Sequence, residues 1–197
     1  RHGLWRDDAC RAHRQSRVHG GRHPLPSRET FAAWLGSVGF TNAMQAVVYD
    51  RQGANYCGRL WWMLRWLGHE RAAVLDGGFA GWKRGKRVLE EAAPVVAPRE
   101  FVARPRDLSV STAQVLADLN APSMLILDAR SPERFRGENE TLDPVGGHIP
   151  GAVNRFYFDN LDDAGCYFKP AGELRAEFDA ILGGRPASAV VQPQTLR

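Results

Sequence analysis

Apolar residues occur along this chain in two patterns, which together predict an α/β fold. The first pattern is the short uninterrupted run, clearest at 124–127, where it ends at Asp128. Such runs are typical of strands that are buried on both faces of a parallel sheet. Similar runs at 46–49, 72–75 and 189–191 predict further strands, the first of them also buried.

The second pattern is the helical spacing of three and four residues. It covers 27–38 and 172–182 and predicts an amphipathic helix over each segment, the first capped by Ser27. Further helices are predicted up to Leu67, over 79–85, and after Ser111, whose spacing from Gln114 is that of a capping box.

A helix followed by a strand occurs twice, which predicts two similar domains. The residues FAAWLG at 31–36, followed by Val47 and Val48, are echoed by FDAILG at 178–183, followed by Val190 and Val191. Between the two copies, several prolines indicate a linker: Pro94, Pro98 and Pro105.

The segment after the central strand is the best candidate for a ligand site. Ser131 is expected to cap a helix, which Pro132 and Glu133 favour at its start. Arg134 then lies in the first turn, beside the carboxyl end of the strand, where open α/β sheets bind ligands. Downstream, Pro150 between two glycines predicts a tight turn that returns the chain to the sheet at 152–154.

The net charge of +4 lies entirely in the first 22 residues, which contain six arginines and two aspartates. The rest of the chain carries 20 of the 26 basic and 20 of the 22 acidic residues. Because the body is neutral, we expect no nucleic-acid partner. We also expect no membrane-spanning segment, since Arg65 interrupts the richest apolar run, 60–67.

The cysteines favour neither a metal site nor a disulfide framework. There are three, Cys10, Cys57 and Cys166, and their spacing matches neither kind of site. No secretory signal is visible. We therefore expect a cytoplasmic protein without a bound metal.

Two sets of motifs resemble one protein family. The sequence LDARSxxRF at 127–135, followed by GHIPGAxN at 147–154, resembles the rhodanese superfamily. More narrowly, it is similar to the second domain of the tandem-domain thiosulfate and 3-mercaptopyruvate sulfurtransferases. The segments 59–65, 68–69 and 75–82 resemble the end of the first domain of that family, so the resemblance spans roughly 21–191.

The resemblance implies parts of two rhodanese-like domains, each a parallel sheet flanked by helices. Residues 21–92 are expected to form an incomplete N-terminal domain, 93–106 a linker, and 107–197 an incomplete C-terminal domain that ends at the active-site strand. Segment 1–20 is expected to be a disordered basic tail or the product of out-of-frame translation. In an alternative arrangement, the back half of one domain and the front half of the other close as a single permuted unit.

The resemblance also implies a reaction: sulfane sulfur passes from thiosulfate or 3-mercaptopyruvate to cyanide or a thiol through a cysteine persulfide, without a cofactor. The nucleophile of the family stands three residues after the second valine of its strand. Here that position is Gln194. Because an amide cannot act as a sulfur nucleophile, we expect the chain as it stands to be inactive.

Four residues of the second domain are expected to form or support the site. Arg134 is the expected substrate contact, since a guanidinium suits paired sulfonate or carboxylate oxygens. The supporting residues are Asp128, Arg130, which is expected to tie loops together, and His148, which is expected to stabilise its turn. Mercaptopyruvate-type members carry a second substrate arginine where this chain has Asp143, which favours thiosulfate or an unassigned donor.

Two other functional classes are alternatives to a sulfurtransferase. In the first, the rhodanese scaffold is a non-catalytic binding module. The second, a rhodanese-related phosphatase, requires Cys-x5-Arg, but the residues six positions after the three cysteines are Ser16, Met63 and Gly172. Cys57 and Cys166 are expected to be packed thiols rather than substitute nucleophiles.

Overall fold

The structure is a computed structural model that describes residues 24–52, 54–90, 95–119, 121, 124–141 and 145–192. They form two compact units, which divide between Leu108 and Ser109. The first unit contains α1 (Arg28–Ser37), β1 (Ala46–Val48), α2 (Cys57–Trp66), β2 (Ala72–Val74) and α3 (Gly78–Arg84). The second contains α4 (Thr112–Ala117), β3 (Leu125–Asp128), α5 (Pro132–Arg136), β4 (Val153–Asn154), α6 (Ala171–Leu182) and β5 (Val190–Val191). Parallel strands and helices in both units confirm the α/β fold class.

Several predictions concern residues outside the described part of the chain. They are those on segment 1–20, which includes Cys10, and those on Asp143 and Gln194.

The sheet of the first unit pairs β1 with β2 in parallel, from Ala46 opposite Ala72 to Val48 opposite Val74. The prediction that 46–49 is fully buried is wrong. Successive side chains of a strand point to opposite faces, so Val48 joins the core whereas Val47 is 51% exposed on the other face.

The core of the first unit lies between α1, α2 and the sheet. Its fully buried side chains are Phe31, Met63 and Leu67, which agrees with the helical spacing in the sequence. Ser27 caps α1 as predicted, since its hydroxyl accepts a hydrogen bond of 3.1 Å from the amide of Thr30.

The described part of the expected linker, 95–106, forms no helix or strand but lies against the first unit. Phe101 is buried, and its ring centroid is 5.8 Å from that of Phe40 and 5.9 Å from that of His69. The approach is so close that a Cβ on Gly36 would lie 2.5 Å from the carbonyl oxygen of Arg99. This part of the segment is therefore packed against the core.

The sheet of the second unit has the order β4-β3-β5, with both pairs parallel. All four residues of the central strand β3 are buried, which confirms the interpretation of the apolar run. Because parallel strands end at the same edge of a sheet, the segments that follow β3 and β4 lie side by side. This edge carries the candidate site.

Both predicted helix features outside that edge are present in the second unit. Ser111 and Gln114 form the capping box at the start of α4. In α6 the predicted apolar positions are partly buried on one face, namely Leu174, Phe178, Ile181 and Leu182.

Candidate functional site

The candidate site begins at the carboxyl end of β3, where Asp128 is buried beside Arg130. The Nε and Nη2 atoms of Arg130 donate to the carboxylate of Asp128 at 3.0 and 2.6 Å, and the Arg130 amide donates at 3.0 Å. Burial opposes ionisation of this carboxyl, but the hydrogen bonds from Arg130 outweigh it and lower the pKa of Asp128. The pair is therefore ionised at neutral pH.

Arg130 also reaches two other segments of the same unit. Its Nη2 donates to the carbonyl oxygen of Gly147 at 2.6 Å, and its Nη1 lies 3.5 Å from the carboxylate of Glu140. From β4, the side chain of Asn154 donates to the carbonyl oxygens of Asp128 and Arg130 at 3.0 and 2.9 Å. Arg130 therefore connects the end of β3 to the turn that leads back into the sheet.

Arg134 lies in α5 and is held by Glu140. Its Nε and Nη2 donate to the two oxygens of Glu140 at 3.0–3.1 Å, so one edge of the guanidinium is paired in a bidentate arrangement. The side chain of Glu140 is 5% exposed and that of Arg134 is 21% exposed. Glu140 was not predicted from the sequence, because an acidic residue in a loop carries no pattern that shows which arginine it will meet.

The start of α5 differs in one detail from the prediction. Ser131 occupies the N-cap position and Pro132 begins the helix, but the hydroxyl of Ser131 makes no capping hydrogen bond. Its carbonyl oxygen instead accepts a bond of 3.0 Å from the amide of Phe135. The helix has five residues and is followed by Gly137 as its C-cap, so it forms little more than one turn.

His148 fastens the turn between Gly147 and Gly151 to α5. Its ring stacks on that of Phe135 with centroids 3.7 Å apart, and its Nδ1 is 2.7 Å from the Phe135 carbonyl oxygen. Because a carbonyl can only accept, Nδ1 carries the hydrogen. Both glycines have positive φ, 96° and 79°, as the predicted tight turn requires.

A second buried carboxylate, Asp50, follows β1 in the first unit. Its two oxygens accept four backbone amides, those of Gln52, Ala54, Tyr56 and Cys57, at 2.8–3.1 Å. Burial opposes ionisation, but these hydrogen bonds lower the pKa of Asp50. The sequence predicted a loop at 50–55 but did not show that its amides would bind Asp50. The internal repeat was the available signal, since it makes β1 the counterpart of the strand that precedes the position of the nucleophile.

The Rhodanese-like domain family model matches residues 11–85 and 111–182. The chain belongs to the rhodanese family. The match begins inside segment 1–20, for which the motifs gave no resemblance. Two matched regions, one in each unit, confirm the resemblance to the tandem-domain sulfurtransferases of this family.

Relatives with similar sequences are named as sulfurtransferases. A probable 3-mercaptopyruvate sulfurtransferase of Pseudomonas aeruginosa is 40% identical over 173 residues, which are 87% of this chain and 61% of the relative. Thiosulfate sulfurtransferase of Bos taurus is 39% identical and covers 79% of this chain and 54% of its own length. The chain thus spans between about half and three fifths of these relatives.

The fold agrees with a solved rhodanese-family structure. The 3-mercaptopyruvate sulfurtransferase of Escherichia coli superimposes with a TM-score of 0.70 at 34% sequence identity, covering 85% of this chain and 63% of that one.

Both cysteines in the described ranges, Cys57 and Cys166, are buried. Cys57 is buried beside Asp50, and burial, followed by the negative charge of that carboxylate, raises the pKa of its thiol to about 12. Cys166 is also buried, and its amide donates to Asp162 at 2.9 Å. Within the described ranges, no cluster of three or more His, Cys, Asp or Glu could hold a metal ion. None of the helices described is long and apolar enough to cross a membrane.

Proposed function

We propose that this chain is a sulfurtransferase-family protein whose second unit binds an anionic sulfur donor, thiosulfate or 3-mercaptopyruvate, at Arg134. The observation that carries the proposal is the similarity to named sulfurtransferases over 79–87% of the chain. The geometry of Arg134 supports it. The residue lies at the carboxyl edge of the sheet, and Glu140 fixes its planar guanidinium, which can bind paired oxygens of a sulfonate or carboxylate.

In the reaction of the family, a cysteine thiolate attacks the sulfane sulfur of the donor. A new S–S bond forms on the cysteine and the bond between that sulfur and the rest of the donor breaks. Thiosulfate releases sulfite, and 3-mercaptopyruvate releases the enolate of pyruvate, which takes up a proton. Cyanide or a thiol then removes the sulfur from the persulfide. We propose that this chain binds the donor but does not complete the first step, because Gln194 stands at the position of the nucleophile.

Cys57 does not replace that nucleophile in this proposal. A thiol with a pKa of about 12 is almost entirely protonated at neutral pH, and the thiolate is the reactive form. Its amide also helps to bind Asp50, so its position is set by the loop of the first unit. We propose that the protein belongs in a reducing cytoplasm, where the spacing of its cysteines, which suggests no disulfide framework, is expected.

Donor binding is tested by titrating the purified protein with thiosulfate in a calorimeter. Arg134→Ala should weaken binding at least tenfold, since hydrogen bonds to a charged group contribute roughly 1.5–3 kcal/mol. The matched control is Arg136→Ala in the same helix, whose side chain is exposed and pairs with Glu138 at 2.7 Å. Equal losses in the two variants would contradict a specific role for Arg134.

Turnover is tested by measuring thiocyanate formation from thiosulfate and cyanide, beside a Cys57→Ser variant. We expect neither protein to produce thiocyanate above the uncatalysed rate. Activity that disappears in Cys57→Ser would show that this buried thiol performs the chemistry, and the proposal of an inactive chain would then be wrong.

The second candidate function is a non-catalytic binding module. The glutamine at the position of the nucleophile and the protonated state of Cys57 favour it. A folded protein that neither binds thiosulfate nor forms thiocyanate would support this candidate over the first.

A further inference from the structure

A cluster of basic residues lies where α3 ends in the first unit. Four of the five residues from 83 to 87 are basic, namely Lys83, Arg84, Lys86 and Arg87, and all four are exposed. In the sequence, the nearest acidic residues on either side are Asp76, Glu90 and Glu91. Although the net charge of the body is neutral, its basic residues are concentrated at this point, and we call the segment the basic turn (82–88).

The basic turn is folded back on α3 rather than extended. The indole Nε1 of Trp82 donates to the carbonyl oxygen of Val88 at 3.0 Å, and the amide of Lys86 donates to the carbonyl oxygen of Lys83 at 2.9 Å. These bonds hold the basic residues within one compact surface.

Lys86 occupies a backbone conformation that lysine rarely adopts. Its φ is 51°, in the left-handed region where glycine is much better tolerated. Local strain of this kind is concentrated at functional sites. The conformation places Lys86 directly after Gly85, which caps the end of α3.

Three of the four cations of the turn are not neutralised by carboxylates within the described residues. In the part of the chain that the structure describes, Lys83, Lys86 and Arg87 form no ion pair, whereas Arg106, Arg136 and Lys169 each pair with a glutamate. Two of these three side chains contact aromatic rings. Arg87 lies 5.5 Å from the ring centroid of Trp82, and Lys83 lies 5.9 Å from that of Phe79.

We propose that the basic turn is a docking surface for an acidic segment of a partner protein. Its three unpaired cations provide charge complementarity, which gives protein interfaces their specificity and association rate. Beside them, Val88 is 84% and Leu89 is 51% exposed, so apolar contact is available next to the charges. A tryptophan and an arginine in contact are also the residue types that dominate binding energy at such interfaces.

The same geometry disfavours two other polyanions. Single-stranded nucleic acid binds by stacking bases on aromatic faces, but here the protein's own cations lie over the rings of Phe79 and Trp82. Stable attachment of a protein to an anionic membrane requires two membrane-binding features, such as two lipid chains or one chain and a polybasic patch. Here four cations are accompanied only by two exposed apolar side chains, which form a weak anchor.

The experiment measures the fluorescence anisotropy of a labelled peptide made of glutamates with interspersed leucines. The test variant is Lys83→Gln/Lys86→Gln/Arg87→Gln. The matched control, Arg99→Gln/Arg104→Gln/Arg175→Gln, removes the same charge from exposed positions elsewhere. We expect the test variant to weaken binding at least tenfold, the control to weaken it by less than about twofold, and added salt to weaken binding to the wild type.

The proposal is overturned if the peptide does not bind to the wild-type protein, or if test and control variants lose affinity equally. It is also overturned if phosphatidylserine vesicles or an oligo(dT) strand bind more tightly than the peptide. Far-UV circular dichroism verifies that both variants are folded. Because the basic turn and Arg134 belong to different units, this result is independent of donor binding.

Discussion

Each unit buries an aspartate near the carboxyl end of a strand, but the two units neutralise that charge differently. In the first unit, four backbone amides of one loop bind Asp50. In the second, the guanidinium of Arg130 binds Asp128. Both environments lower the pKa of the carboxyl against the opposing effect of burial.

Because the two aspartates are neutralised by different groups, we expect them to have different roles in the protein. Amides bring no net charge, so Asp50 serves mainly to fix the path of its own loop. A guanidinium brings a full charge and further donors, so Arg130 also contacts Gly147 and Glu140 and joins separate segments. We therefore expect the first site to act as a local folding unit and the second as part of a charged network next to the predicted donor site.

The largest expected loss of stability comes from removing the Asp50 carboxylate from the four backbone amides that bind it. Asp50→Ala leaves four donors without their acceptor, and we expect it to lower the free energy of unfolding by about 3 kcal/mol or more. Urea denaturation measures the change. The control is Asp107→Ala, which removes an exposed carboxylate of the same unit and should cost less than about 1 kcal/mol. Similar losses in the two variants would contradict the special role of Asp50.

The charged network should show coupling between its members. Arg130→Ala leaves Asp128 buried without its partner, and we expect a loss of about 2 kcal/mol in the free energy of unfolding. The double variant with Asp128→Ala should cost clearly less than the sum of the single changes, because each single change already breaks the pair. A double-mutant cycle by urea denaturation measures this, and strict additivity would refute the coupling.

The two units should also differ in their response to acid. Burial lowers the pKa of His69 in the first unit, so the native state keeps this ring neutral while the unfolded chain takes up a proton near pH 6.5. Stability from His69 is therefore present above that pH and falls below it, by at most about 1.4 kcal/mol per pH unit. The pKa values of Asp50 and Asp128 are lowered, so their contribution is lost only below about pH 4.

Thermal unfolding followed between pH 7 and pH 5 checks this order of events. His69→Gln, which can still donate to the carbonyl oxygen of Arg71, should flatten the curve in that range. An unchanged slope in the variant would mean that another group titrates there.

The smallest effects concern the ends of two short helices. Gly137 provides the left-handed residue directly after α5, with φ of 79°, whereas after α3 Lys86 adopts this conformation, with φ of 51°. Lys86→Gly should stabilise the protein by about 0.5–1 kcal/mol, while Gly137→Ala should destabilise it by a similar amount or more. Urea denaturation of both variants shows whether each change raises or lowers the free energy of unfolding. Destabilisation by Lys86→Gly would show that the backbone at residue 86 is not strained.

Local patterns were enough to predict much of the fold. The apolar run of β3, the cap at Ser27 and the capping box at Ser111 depend on neighbouring residues and were found where the sequence placed them. The solvent exposure of one face of β1 was not predicted, because the burial of a strand depends on which other elements pack against its two faces.

The charged contacts of the candidate site were harder to predict. Arg134 and Arg130 were visible in a motif, but their shared partner Glu140 is brought to them by the fold of the loop after α5. The basic turn was not predicted from the sequence, because the net charge of the body does not show where its charged residues lie.

The segment that follows α3 affects the two longer helices of the first unit. The amide of Arg99 donates to the carbonyl oxygen of Gly36 in α1, and those of Arg104 and Arg106 donate to Leu67 and Trp66 at the end of α2, at 2.8–3.0 Å. Carbonyls at helix ends otherwise lack partners within the helix. One extended strip of chain therefore closes the ends of both helices, so fraying at either end requires the strip to detach, and their amide hydrogen exchange should be cooperative.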